Sequence, residues 1–71
     1  MQKINQNRLI ICKESDPDYL QAAWANYDEE GFFINITNFY GTKLTLLKGN
    51  KVSFNDEIWL IKGHVNLFYK N

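Results

Sequence analysis

The residue types that most often carry out chemistry are scarce in this chain of 71 residues. His64 is the only histidine and Cys12 is the only cysteine. A general base needs a second group that orients it, and a structural zinc site needs clustered Cys and His ligands. The sequence supplies neither arrangement. We therefore expect His64 to flank a turn and Cys12 to pack as a buried, unreactive thiol.

Phosphate and metal motifs are missing as well. The four glycines are isolated from one another, so none forms a glycine-rich phosphate loop, and the acidic residues do not follow the spacing of a calcium-binding loop. We therefore predict that the protein is not an enzyme. We expect no catalytic residue, no bound metal and no cofactor.

Composition indicates one folded domain. The chain is 45% hydrophobic, which is too apolar for intrinsic disorder, and its apolar runs are no longer than four residues, too short for a membrane-spanning segment. We predict a single domain over residues 1–71, with residues 1–7 as a polar, frayed lead-in. A single cysteine and the absence of a signal-peptide pattern favour a cytoplasmic location, or the host cytoplasm for a viral protein.

Most of the chain is predicted to form short strands. Residues 8–13 are a short apolar run between two cations, and residues 31–48 carry the aromatic and β-branched pattern of a hairpin whose turn is residues 38–41. Three further short strands follow this hairpin, at residues 51–54, 57–62 and 64–69. Because the turns between them are tight, these strands form an antiparallel meander.

The segment between the first strand and the hairpin is predicted to be a helix over residues 17–29. Asp16 is a good N-cap, Pro17 suits the first helical position and Gly31 suits the position after the last turn. The helical spacing of apolar residues is given by Leu20, Ala23, Trp24 and Tyr27. The alternative is a hairpin in which residues 28–31 form the loop, because three acids in the last turn of a helix oppose its dipole.

These elements predict an α+β fold in the order β-α-β-β-β-β-β. One helix packs on a strongly twisted antiparallel sheet or partial barrel. The expected inward face consists of Ile34, Ile36, Leu44, Leu46, Val52, Phe54, Ile58, Leu60, Val65 and Leu67. Strand alternation then puts Phe33 and Phe39 on the opposite, exposed face.

Charge is unevenly distributed although the formal net charge is zero. Residues 14–30 contain six acids and no base, and the remainder contains eight bases and two acids. The acidic segment has two interpretations, a solvated face or a surface that recognises a partner.

Our first functional hypothesis is a small non-enzymatic binding protein, such as a viral or mobile-element inhibitor that occupies a surface of a host protein. Its partner is expected to have a basic surface, and a homodimer is also expected because the acidic segment 14–30 and the basic remainder are complementary between copies. The candidate partner-binding residues are Asp16, Asp18, Asp28, Glu29, Glu30, Phe33, Phe39 and Tyr40.

The alternative hypothesis is a small nucleic-acid-binding barrel. The strand lengths in the second half are similar to those of SH3-like and OB-like barrels, but the chain carries no sequence signature of either. The residues that would contact the nucleic acid are Lys43, Lys48, Lys51, Lys62, Lys70, Tyr40 and Tyr69. Zero net charge argues against it, because affinity for nucleic acid comes mainly from neutralised phosphates. A structural subunit of a larger assembly is a third possibility.

Overall fold

The fold is a closed barrel of six antiparallel strands. A computed structural model describes residues 5–65 and 67. The strands are β1 (Asn5–Lys13), β2 (Asp16–Tyr27), β3 (Phe33–Asn38), β4 (Lys43–Leu46), β5 (Lys51–Phe54) and β6 (Glu57–Lys62). Each strand pairs with the next one along the chain, and β1 also pairs with β6, which closes the sheet. Among the described residues, no helix has the length and apolar content to cross a membrane.

The predicted α+β class and its helix over residues 17–29 are therefore wrong. This segment is strand β2, which pairs with β1 on one side and with β3 on the other. Alternation along β2 puts Ala23, Ala25 and Tyr27 in the core, with both alanines fully buried. The narrow interior of a small barrel is filled by a mixture of large and small side chains, so the alanines that raise helix propensity serve here as the small core residues.

The alternative hairpin is the observed structure of residues 20–38. The Asp28 carboxylate accepts hydrogen bonds from the backbone N–H groups of Glu30 and Phe32, both at 2.9 Å. The N–H of Gly31 donates to the carbonyl of Asp28 at 3.0 Å, and the φ of Gly31 is +91°. Because no helix ends here, the acids of this loop oppose no helix dipole, and Asp28 stabilises the turn.

The meander over residues 33–62 is confirmed, but the prediction of which residues face the core is wrong in part of β3 and in β6. A bulge in the β2–β3 ladder pairs Asn26 with Asn35 and Tyr27 with Phe33, so Ile34 falls out of register and is 47% exposed. In β6 the core residues are Trp59 and Ile61. Alternation therefore places Ile58 and Leu60 on the outside of the barrel. The remaining expected inward residues of β3, β4 and β5 do contact the core, and they are Ile36, Leu44, Leu46, Val52 and Phe54.

The chain ends fit the predicted strands less well. Strand β1 begins at Asn5, earlier than the expected start at residue 8. In the last predicted strand, residues 64–69, the described residues His64, Val65 and Leu67 belong to no strand, and the others lie outside the described residues. His64 is exposed beside the turn at Gly63, as predicted, and Val65 packs against the core.

Candidate functional site

The carboxylates of the barrel lie at its ends. All eight Asp and Glu residues are in turns, in loops or near the beginning of a strand; they are Glu14, Asp16, Asp18, Asp28, Glu29, Glu30, Asp56 and Glu57. Successive turns of a meander alternate between the two ends of a barrel. The turns that carry residues 14–18 and 56–57 therefore lie at one end, and the turn that carries residues 28–30 lies at the other, although the Glu14 side chain reaches Lys51 at the start of β5. The acidic segment seen in the sequence is thus divided between two distant surfaces.

The outer wall of the barrel carries cations instead. Cross-strand pairing places Arg8 beside Trp24, Trp24 beside Thr37, and Thr37 beside Lys43 in one continuous row. Lys62 lies in the next row, opposite Ile10. Arg8, Lys43 and Lys62 are exposed and Trp24 is partly exposed. We call the set Arg8, Trp24, Thr37, Lys43 and Lys62 the basic wall.

Neutral amide side chains lie beside this wall. Gln6 pairs with Asn26 and Asn26 with Asn35, so the three amides form the adjacent cross-strand row. Gln6 Nε2 donates to Asn26 Oδ1 at 2.7 Å. Asn26 Nδ2 donates to Asn35 Oδ1 at 2.8 Å and to Thr37 Oγ1 at 3.1 Å. These residues border an open groove of about 480 Å³, the amide groove, which is lined by Gln6, Asn26, Ile34, Asn35, Thr37 and Gly41.

A pair of aromatic rings projects from the turn between β3 and β4. Phe39 is 51% exposed and Tyr40 is 76% exposed, and their ring centroids are 4.0 Å apart. The buried Asn38 holds this turn, because its Oδ1 accepts the backbone N–H groups of Tyr40 and Thr42 at 3.0 and 2.9 Å. Gly41 belongs to the same turn and also lines the amide groove, so the aromatic pair adjoins that groove.

The candidate partner-binding residues do not form one surface. Phe33, which was expected on an exposed face, is partly buried and packs its ring 5.9 Å from that of Tyr27. Phe39 and Tyr40 are exposed, as expected. Asp16 and Asp18 are exposed at the start of β2, whereas Glu29 and Glu30 are exposed at the opposite end of the barrel.

The lysines of the alternative hypothesis are also separated. Lys43 and Lys48 are exposed, but Lys51 Nζ lies 2.9 Å from Glu14 Oε2, and both side chains are nearly half exposed. This ion pair partly neutralises Lys51. Lys70 and Tyr69 lie outside the described residues.

Sequence reasoning missed Arg8, Trp24 and the amides as site residues. Trp24 was assigned to the inward stripe of a helix, and residues 5–7 were assigned to a lead-in. The proximity of these residues becomes apparent only when the β1–β2 and β2–β3 registers are known, because pairing makes residues that are far apart in the chain neighbours in one row.

In the part of the chain that the structure describes, no three His, Cys, Asp or Glu residues lie close enough together to hold a metal ion. Cys12 is buried, as predicted. Comparison of the chain with family models, curated proteins and solved structures finds no match. The functional argument therefore depends on the basic wall, the amide groove and the aromatic pair.

Proposed function

We propose that this protein is a small non-enzymatic barrel that binds single-stranded nucleic acid on its basic wall. One observation carries the proposal: the cross-strand rows that contain Arg8, Lys43 and Lys62 hold no carboxylate, Arg8 pairs with the partly exposed Trp24, and Lys43 and Lys62 each lie two strands from it, on either side. Cations that contact phosphates together with an aromatic ring that stacks on a base are the means by which single-strand binders hold their ligand.

Zero net charge does not oppose this proposal once the charges are located. Along β2, Trp24 is six residues from Asp18 and four from Asp28, about 20 and 13 Å at the rise of an extended strand. Both distances exceed the screening length of about 8 Å at physiological salt. A phosphate beside Trp24 is therefore screened from the acids at both ends of β2 and responds more strongly to the neighbouring Arg8.

A single strand suits the wall better than a duplex does. Trp24 lies within a row of strand residues, between Arg8 and Thr37, and not on a projecting loop. Only an unstacked base can lay its face against a ring in this position, and the bases of a duplex are already stacked on one another.

Fluorescence anisotropy tests the proposal, with a labelled 16-nucleotide mixed-sequence DNA or RNA strand in about 50 mM salt. We expect saturable binding by the wild type. Trp24→Ala should weaken it about 5- to 150-fold, the loss of about 1–3 kcal/mol of stacking. Leu20→Ala is the control, because Leu20 is an exposed apolar residue two rows away on the same strand. No saturable binding by the wild type, or equal losses in the two variants, would refute the proposal.

A protein partner is the second candidate, and the exposed Phe39–Tyr40 pair favours it. Rigid, exposed aromatic side chains are typical anchors of protein interfaces. Asp16, Asp18 and Asp56 lie at the same end of the barrel as this pair and would favour a partner with a basic surface, such as a host protein that a viral inhibitor occupies. A subunit of a larger assembly would use the same contact.

Capture from host cells tests this second candidate. A protein retained by the wild type should be lost when Phe39 and Tyr40 are both replaced by Ser. It should still be retained when Glu29 and Glu30, at the opposite end, are replaced by Lys. Retention by the Ser variant would exclude the aromatic pair as the contact.

We also propose that the protein self-associates and acts in the cytoplasm. Acidic barrel ends on one copy complement the basic wall of another, so association should weaken as salt screens the charges. Sedimentation at low and high salt measures this, and a monomer at hundreds of micromolar in low salt would contradict it. The free Cys12 is the chain's only cysteine, which suits a reducing compartment.

A further inference from the structure

The amide groove has a buried polar group at its base. Asn26 is only 7% exposed, and its side chain makes three hydrogen bonds, accepting one from Gln6 and donating to Asn35 and Thr37. Asn26 therefore fixes the orientation of the three polar side chains around it. None of the described residues that line the groove has an ionisable side chain.

The network leaves a defined set of groups for a ligand. Gln6 Oε1 is an acceptor, Asn35 Nδ2 is a donor and the Thr37 hydroxyl hydrogen is a donor. No hydrogen bond within the described residues engages these three groups. Ile34, which is 47% exposed, adds an apolar surface, and Gly41 leaves space because it has no side chain. A neutral, planar molecule that forms hydrogen bonds along one edge fits this set.

We infer that the amide groove binds one base of the strand held on the basic wall, and that it prefers cytosine to guanine. This inference rests on the proposed function. Asn26 is two residues from Trp24 along β2, about 7 Å, so the base in the groove is close to the one stacked on Trp24. Amide side chains pair with base edges through one acceptor and one donor.

The order of the groups sets the preference. Gln6 on β1 supplies the acceptor, and Asn35 and Thr37 on β3 supply the donors. Cytosine presents an N4–H donor followed by the acceptors N3 and O2, which complements this order. In the same orientation guanine presents an O6 acceptor followed by the donors N1–H and N2–H, so each of its groups meets one of its own kind. When guanine is turned over, its N1–H donor still meets a donor of the groove.

Two 12-nucleotide strands test the inference, the alternating sequences (TC)₆ and (TG)₆, each measured by anisotropy. The wild type should bind (TC)₆ about tenfold tighter than (TG)₆, at the low end of what one good base contact contributes. Asn35→Asp replaces the donor with an acceptor of the same size and should reduce this ratio severalfold. Asn7→Asp is the control for the added negative charge, and its ratio should stay at the wild-type value.

A second variant tests the inference in case Asn35→Asp does not fold. Gln6 is exposed, so Gln6→Ala should keep the fold while removing the acceptor, and the ratio should again fall. Equal binding of the two strands by the wild type would overturn the inference, as would an unchanged ratio of (TC)₆ to (TG)₆ affinity in Gln6→Ala. Either result would leave the proposal of binding on the basic wall unaffected. Absence of binding to both strands would overturn the proposed function together with the inference.

Discussion

Asn38 fixes the backbone of the β3–β4 turn, which carries the aromatic pair Phe39 and Tyr40. Its buried side chain accepts two backbone N–H groups of the β3–β4 turn, and its own backbone N–H donates to the carbonyl of Thr42 at 2.9 Å. A buried asparagine with these bonds keeps the backbone of the β3–β4 turn in one conformation. The turn backbone therefore loses little conformational entropy when Phe39 and Tyr40 contact a partner.

Asn38→Ala should lower the free energy of unfolding by about 1–3 kcal/mol, because two backbone donors lose their acceptor in a partly buried turn. Urea denaturation measures the change. Asn7→Ala is the matched control, because Asn7 is exposed and its side chain makes no hydrogen bond within the described residues. Equal stability of the two variants would show that the Asn38 bonds contribute nothing measurable.

Some residue environments were predictable from the sequence and others were not. The exposure of Phe39 was predicted from strand alternation and the burial of Cys12 from its apolar neighbours, and both are observed. The exposure of Ile34 was not predicted, because it depends on a bulge that only the paired strand reveals. Bulges depend on the neighbouring strand as much as on the local sequence.

Strand β2 is the element at which local sequence and tertiary structure disagree. The cap residues Asp16 and Pro17 and the alanine content of the segment favour a helix, yet β1 and β3 flank this segment and pair with it on both edges. Pairing on both sides holds this segment in the barrel wall, and the barrel interior buries Ala23 and Ala25 completely, a gain that local propensity does not include. The loop acids at residues 28–30 were the one local signal for the hairpin.

Substitution of two alanines distinguishes the strand from a helix. Ala25→Leu should lower the free energy of unfolding by about 1–3 kcal/mol, because the added volume enters a filled barrel. Ala22→Leu should change it much less, because Ala22 is on the outer face and partly exposed. In the predicted helix neither alanine belongs to the apolar stripe, so both substitutions would be tolerated. Thermal melts of the two variants measure the difference, and equal melting temperatures would contradict strand β2.

The β5–β6 turn allows a stabilising change. Asn55 and Asp56 have φ values of 56° and 63°, the left-handed conformation that a two-residue hairpin turn requires. Asp56→Gly should raise the free energy of unfolding by up to about 1 kcal/mol, because glycine adopts this conformation without a steric cost.

The turn between β1 and β2 supplies the control for this change. Ser15 has no positive φ, so Ser15→Gly adds unfolded-state entropy without relieving strain and should be destabilising. Chemical denaturation of both variants measures the two effects. Destabilisation by Asp56→Gly to the same extent as by Ser15→Gly would show that the turn is not strained.

Closure of the barrel is a property of the whole molecule and could not be predicted from the sequence. The meander over residues 33–62 follows from short alternating segments and turn residues. The pairing of β1 with β6 joins Ile11 to Ile61, which are far apart in the chain, and no local pattern encodes it. Strand pairing around this barrel brings Arg8, Lys43 and Lys62 into neighbouring rows that hold no carboxylate, so the distribution of charge along the sequence does not indicate the surface that we propose as functional.

The slope of log binding constant against log salt concentration for a mixed-sequence single strand tests the central claim most directly. Arg8→Gln combined with Lys43→Gln removes two cations of the basic wall, and Lys48→Gln removes an exposed lysine outside it. Each phosphate contact contributes about 0.7 to the slope for single strands. We predict that the double variant lowers the slope by about 1.4 and that Lys48→Gln leaves it unchanged. Equal slopes for the wild type and both variants would contradict binding on the basic wall.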